Sequence, residues 1–173
     1  GECEHGEDPP SGSFREHLQW VERKFNDRFP EFRRGKKVWW EEYQTKGCFR
    51  MMTGFVCRGV FTKNFLMNAP IQGPAFHCLL QSLILIQKVM NRRRMKSRIV
   101  CEIHDCLLFD ALEEELQEVL DLAEEVMTRT IPEMWDWIIV PLGVEVDVSS
   151  VGSSWADKKP WVRNSEGLWA PKS

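Results

Sequence analysis

The alternation of apolar and polar positions divides the chain into a succession of elements. Phe14, Leu18, Val21, Phe25 and Phe29 recur at helical spacing behind Ser13-Phe14-Arg15-Glu16, and Pro30 ends the run. Ser and Glu at that separation form a capping box, so the helix has a defined start. A second helical stretch is predicted over 31–46 and closes at Gly47. Residues 48–59, with Thr53-Gly54 in the middle, read as a short hairpin or an irregular connection. From Thr62 to about Met90 the period is again helical and largely apolar, which predicts a long buried helix. Pro70 and Pro74 sit inside it, so its first part is expected to be kinked or to start late.

Ile99, Val100, Cys101 and Ile103 then make an apolar strand, His104-Asp105 a polar break, and Leu107-Leu108-Phe109 a second strand. That pattern predicts a hairpin with His104-Asp105 at its tip. Asp110 and Glu113 have capping-box spacing for a helix running to about Arg129, with Leu112, Leu116, Val119, Leu120, Ala123, Val126 and Met127 on its core face. Residues 138–148 read as strand, because Val144, Val146 and Val148 alternate with Glu145 and Asp147. Residues 1–12 are polar and contain Pro9-Pro10, which predicts a flexible segment. The chain from Gly152 onward shows no periodicity, and no internal repeat is present. The expectation is one domain over 13–156 with a tail over 157–173. Helices packed on one side of a hairpin-plus-strand sheet give an α+β layer structure.

Composition narrows the class. With 43% hydrophobic and 28% charged residues among 173, the chain has enough apolar surface for a proper core, so wholesale disorder is excluded. The net charge of −3 conceals a basic knot at Arg92, Arg93, Arg94, Lys96 and Arg98 and an acidic run over 113–125. A protein that binds nucleic acid alone usually carries more positive charge. Either DNA is not the partner, or much of the DNA-binding surface lies on another chain. The six Cys show no CxxC pair and read as scattered reduced thiols of an intracellular protein. Cys101, His104 and Cys106 raise the question of zinc, but strand alternation points Cys101 away from Cys106 and no second Cys/His pair follows. No secretory signal or membrane span is read: the longest apolar run, around Phe76 to Met90, is broken by Gln81, Gln87 and Lys88.

Two stretches carry candidate chemistry. Asp105, held at a hairpin tip, is suited to gripping a hard cation, a common device in phosphoryl transfer. The plain alternative is a solvated turn. Upstream, Asn64, Asn68 and Gln72 are spaced i, i+4, i+8 and share one helix face. Such amides need partners: they form a buried polar network, line a solvated edge, or present a ladder to a ligand.

Asn68-Ala69-Pro70-Ile71-Gln72-Gly73, followed about one helix later by Ile103-His104-Asp105, resembles the C-terminal palm of family A DNA polymerases, the DNA polymerase I type. Phe29-Pro30, and Val140-Pro141-Leu142 leading through Val144-Glu145-Val146 to Trp155, are similar to that family's flanking segments in the same order. The resemblance covers roughly Phe25 to Ala156 and implies an antiparallel palm-type sheet, hairpin plus closing strand, packed on helices. It implies that Asp105 binds catalytic magnesium and that His104 lies against the primer terminus. Asn68 and Gln72 would hydrogen-bond the minor-groove edge or backbone of the new duplex, where universal acceptors report pair geometry without sequence. Lys63 and Asn64 fall where a further primer or minor-groove contact is expected.

The chain also departs from the family pattern. Cys106 stands where Glu is usual, Asn64 where Arg is usual, and Pro74 where a small residue with a free N–H is usual. The family's other metal-binding Asp and its fingers helix have no counterpart. Two-metal phosphoryl transfer needs carboxylates on both sides of the metal pair. The resemblance therefore implies one subunit of a split DNA-directed DNA polymerase. Its two-Mg2+ site would be shared with an N-terminal polymerase chain carrying the other Asp and the fingers. Primer-template DNA and deoxynucleoside triphosphate are the expected substrates, no membrane is involved, and the setting is the bacterial cytoplasm, of a host cell if the genome is a phage's. Two other readings are a degenerate, non-catalytic palm that scaffolds DNA or replication proteins, and a piece cut from an intact polymerase, which a start at Gly1 permits.

Overall fold

A computed structural model describes residues 12–172. Apart from Gly12, the segment expected to be flexible lies outside them. The chain divides into two compact units, one taking in residues up to Arg50 together with Phe55–Ala69, the other Met51–Gly54 and the chain from Pro70 onward.

In the first unit, α1 (Phe14–Arg28) starts as the sequence predicts. The Ser13 hydroxyl accepts from the Glu16 N–H at 3.4 Å, and the Glu16 carboxylate accepts the Ser13 N–H at 2.7 Å. Pro30 is the first residue of α2 (Pro30–Lys46), where its missing N–H costs nothing. Gly47 closes α2 with φ 64°, a left-handed conformation that favours glycine, and its N–H reaches the Tyr43 carbonyl at 2.8 Å. The connection beyond it is a hairpin, β1 (Cys48–Arg50) antiparallel to β2 (Val56–Arg58). The Tyr43 hydroxyl donates to the Gly59 carbonyl at 2.7 Å and accepts the Phe61 N–H at 2.8 Å, tying the exit of β2 to α2. Phe61 stacks on Phe65, ring centres 4.7 Å apart, and Phe49 meets both edge-on. Neither α1 nor α2 has a buried residue, and Phe14 and Leu18 are exposed.

Helix α3 (Lys63–Arg93) begins at Thr62, whose hydroxyl accepts the Phe65 N–H at 3.3 Å. The helix does not start late: the chain is helical through both Pro70 and Pro74. The carbonyls four residues before them, those of Leu66 and Pro70, lose their usual helix partners. Arg94, at φ 57°, ends α3, and the Met95 N–H returns to the Met90 carbonyl at 3.0 Å. Among the described residues α3 alone is long and apolar enough to cross a bilayer. Its Ile86 and Met90, however, are fully buried in a core with side chains of the next helix.

That core belongs to the second unit and joins Ile86, Met90, Val119, Leu122, Val126 and Ile131, with Ile99, Leu107, Phe109, Trp135 and Leu142 packed around it. The predicted hairpin is present as β3 (Arg98–Ile103) and β4 (Cys106–Asp110), with Ile103 opposite Cys106 and Ile99 opposite Phe109. A bulge at Val100 shifts the register and leaves that side chain exposed.

The Asp110–Glu113 capping box does not form. Asp110 is instead the last residue of β4, opposite Arg98, and a 3-10 turn over Glu113–Glu115 precedes α4 (Leu116–Glu125). Glu115 takes the stabilising role: its carboxylate accepts the Lys96 N–H at 3.0 Å and the Ser97 N–H at 2.8 Å, while the buried Ser97 hydroxyl accepts the Leu112 N–H. These bonds to backbone hold its carboxyl below the usual carboxylate range. The helix does not stop at Arg129. A π turn, Val126–Thr130, widens it and α5 (Ile131–Met134) follows, the Ile131 N–H reaching the Val126 carbonyl. Pro132, which has no N–H for the ladder, is accommodated just after this turn.

Only Val146–Val148 of the expected strand region is strand, β5. It pairs with β6 (Lys159–Arg163), which pairs with β7 (Trp169–Pro171), so the closing strand and the hairpin lie in separate sheets. The chain beyond Gly152 is thus built rather than irregular. Polar groups dock it: the Gln117 amide donates to the Trp169 carbonyl at 2.8 Å and accepts the Trp169 N–H at 2.9 Å, as a strand neighbour would. The Arg163 guanidinium bonds Asp121 at 2.8 Å and Glu124, and lies 4.7 Å over the Trp169 ring. Asn164 shapes the connecting turn by accepting the N–H groups of Glu166 and Leu168, with Gly167 at φ 79°.

Candidate active site

Because Ile103 faces Cys106, the hairpin turns in two residues, His104 and Asp105. His104 has φ 58°, one of two non-glycine residues with positive φ among those described, whereas Asp105 does not share it. That pattern matches a turn whose first central position favours glycine. A side chain at His104 is therefore held at the cost of backbone strain, a feature that clusters at functional sites.

Both tip residues are exposed. The Asp105 carboxylate accepts a long contact from the Cys106 thiol, 3.7 Å, and forms no ion pair among the described residues. Its oxygens thus remain open to a hard cation, which fits the expected ligand role from one side. Among the described residues no group of three or more His, Cys, Asp or Glu is placed to hold a metal ion. The Cys106 thiol is pushed up by burial first and then by Asp105, with Asp147 adding to the rise and Lys158 opposing it. It therefore stays neutral at ordinary pH. The Lys158 ammonium bonds Asp147 at 2.8 Å, which raises its own value.

Asp147 and Lys158 escaped the sequence reading. Asp147 registered only as the polar half of a strand alternation, and Lys158 lay in a stretch without pattern. On α3, Lys63, Asn64, Asn68 and Gln72 are all exposed, and none of the three amide side chains is hydrogen-bonded within the described residues. The buried-network alternative is excluded; a solvated edge or a ladder facing a ligand remains. Asn64 and Asn68 fall in the first unit, and Gln72 in the second with the hairpin tip. Gly73, next in the motif, packs its bare Cα against Met51, whose sulfur would lie 2.5 Å from an added Cβ. Beside it Thr53 and His77 share a 2.7 Å hydrogen bond.

A long apolar helix is thus followed in the chain by a tight antiparallel hairpin whose exposed tip carries Asp105. The family described as DNA polymerase family A matches residues 57–157, more than half of the chain, and the chain belongs to it. It is 27% identical over 158 residues to DNA polymerase I of Bacillus caldotenax, covering 85% of this chain and 17% of that protein. It is 33% identical over 99 residues to DNA polymerase I of Bacillus subtilis (strain 168), covering 57% of this chain and 10% of the relative. Among solved structures it is similar to the POL domain of Pol1 from M. smegmatis in complex with DNA primer-template and dNTP. The TM-score is 0.61 at 25% identity, covering 76% of this chain and 24% of that one. The chain thus spans a small part of each relative, while β6 and β7 lie beyond the last residue of the family match, 157.

Proposed function

We propose that the chain is the C-terminal palm portion of a DNA-directed DNA polymerase. It would supply one catalytic carboxylate to a nucleotidyl-transfer site completed by a second chain bearing the other Asp and the fingers. The observation that carries this reading is the exposed Asp105, without an ion pair among the described residues, on a two-residue turn, within the segment matched to family A. Two Mg2+ ions, when bound, would neutralise charge on the triphosphate and ease loss of the proton from the primer hydroxyl. Asp105 holds its share of that metal pair. His104 packs against the primer terminus, its direction set by the strained turn. Asn68 and Gln72, with Asn64 and Lys63 further along the stripe, hydrogen-bond the nascent duplex without reading its sequence. A divided polymerase of this kind fits a phage genome acting in the cytoplasm of its bacterial host.

The test is reconstitution with a chain carrying the second palm carboxylate, primer-template, nucleotides and Mg2+. The pair extends the primer, and Asp105→Asn abolishes extension without loss of folding, since a metal ligand stabilises developing charge by several kcal/mol. Near wild-type extension by Asp105→Asn refutes the site. Tight primer-template binding with no extension in any combination points instead to a non-catalytic DNA-binding palm.

A further inference from the structure

The turn between β1 and β2 is fastened to α3 by contacts that the proposed function leaves unused. Met51–Gly54 groups with the chain from Pro70 onward, although the strands on either side of it do not. The Gly54 N–H returns to the Met51 carbonyl at 2.9 Å, and Gly54 has φ 87°, so the turn is closed tightly. Met51 is buried and packs on the bare Cα of Gly73. Thr53, two residues on, shares its 2.7 Å hydrogen bond with His77 Nδ1 in a half-buried setting. Gly73 and His77 are four residues apart and so lie on one face of α3. The turn therefore grips the helix at two points, one helical turn apart.

Those two points straddle Pro74. Because Pro74 has no N–H, the Pro70 carbonyl lacks its usual helix partner, and Pro70 removes a further bond one turn earlier. Prolines are where helices kink, so this stretch cannot hold its own direction as the rest of α3 does. Gln72 lies inside it, exposed and next to Gly73. An added Cβ at 73 would meet the Met51 sulfur and terminal carbon at 2.5 Å. The glycine beside Gln72 is thus what admits the turn.

We propose that the Met51–Gly54 turn braces the proline-interrupted part of α3, and that Met51 and Thr53 are positioning residues for Gln72. They touch no substrate; they fix the direction of an amide that does. The brace spares the complex the ordering of this stretch when the duplex binds. The proposal deepens the reading of Gln72 as a contact to the nascent duplex and rests on it.

The experiment uses the reconstituted enzyme with Thr53→Val, Thr53→Ser, Met51→Ala, Gln72→Ala and the double variant Thr53→Val/Gln72→Ala. Nucleotide KM and kcat are measured by single-nucleotide extension from matched primer ends, beside the melting temperature. Thr53→Val keeps the shape of the side chain and deletes the hydroxyl. It should lower kcat several-fold and leave nucleotide KM within about twofold, since a displacement of about 1 Å can cost as much as a hundredfold. Thr53→Ser restores the hydroxyl and most of kcat, and Met51→Ala lowers kcat in the same way. In the Gln72→Ala background Thr53→Val should have no further effect, because the group it positions is gone. Should Met51→Ala fail to fold, the Thr53 series decides alone. Normal kcat in Thr53→Val, or the same fold-loss with and without Gln72, overturns the brace and leaves the turn a purely structural contact. Wild-type extension by Gln72→Ala, or no extension by the wild-type pair, overturns the reading beneath it.

Discussion

Replacing Trp169 by Ala tests whether the last strands are part of the folded unit. Trp169 is 7% exposed, and its neighbours are Gln117, which bonds its backbone twice, and Arg163, stacked over its ring. A buried Trp removes on the order of 150–250 Å2 from water, which at about 25 cal/mol per Å2 is roughly 4–6 kcal/mol. Against this stands the indole Nε1, buried without a hydrogen-bond partner among the described residues. An unsatisfied donor costs about 1–3 kcal/mol. The difference puts Trp169→Ala at about 3 kcal/mol of destabilisation, at the low end of the range for large-to-small core changes. Trp169→Phe keeps most of the apolar area and deletes the unpaired donor, so it should fall within about 1 kcal/mol of wild type. Urea titrations followed by far-UV circular dichroism measure both, since fluorescence from the other seven of the eight Trp would obscure the site. A loss below about 1 kcal/mol in Trp169→Ala would show that β7 does not dock and refute the account of the C-terminal strands.

Three further outcomes are expected. His104→Gly should leave stability unchanged or raise it by up to about 1 kcal/mol, because relief of left-handed strain outweighs the added chain entropy; a urea midpoint well below wild type would show that the imidazole supports the fold, and primer extension should fall in either case. Glu115→Gln should destabilise at neutral pH and not in strong acid. Its lowered carboxyl contributes stability above the unfolded value of 4.5 and loses it as pH falls through the folded one, so equal losses at all pH values would contradict the charge-assisted bonds to Lys96 and Ser97. Asn68→Ala and Gln72→Ala should weaken primer extension and barely move the melting temperature, since neither amide has a partner within the described residues; a drop in melting temperature with normal extension would assign them to the solvated edge instead.

Only forces that leave a periodic or positional trace in a sequence can be read from it. Helices α1 to α3 and the His104-Asp105 hairpin were readable because periodicity, capping residues and the polar break all pointed the same way. Family membership was readable from two ordered motifs. The C-terminal strands were hidden because they dock through Arg163 and Gln117 rather than through an apolar stripe, and ion pairs and amide bonds leave no periodic mark. The Asp110–Glu113 spacing misled for a related reason: β4 claimed Asp110 for pairing with Arg98, and α4 starts without a side-chain cap while Glu115 bonds the Lys96 and Ser97 N–H groups instead. At the site, Asp105 stood out as a turn carboxylate. Elsewhere, the Lys158–Asp147 ion pair left no trace in the sequence, because it depends on a register between β5 and β6 that only the folded chain reveals.

The π turn between α4 and α5 has a consequence for length variation. Helices advance about 100° per residue, so the extra residue held in Val126–Thr130 sets the rotational phase of everything after it. Fully buried Ile131 faces the core only because that residue is present. Deleting one residue there would restore an ordinary helical turn, locally the more favourable geometry, while swinging Ile131 toward solvent and a neighbour into its place. A relative lacking one residue in this stretch should therefore carry its large apolar side chain one position displaced, so that aligning the two chains by sequence alone would mispair their cores.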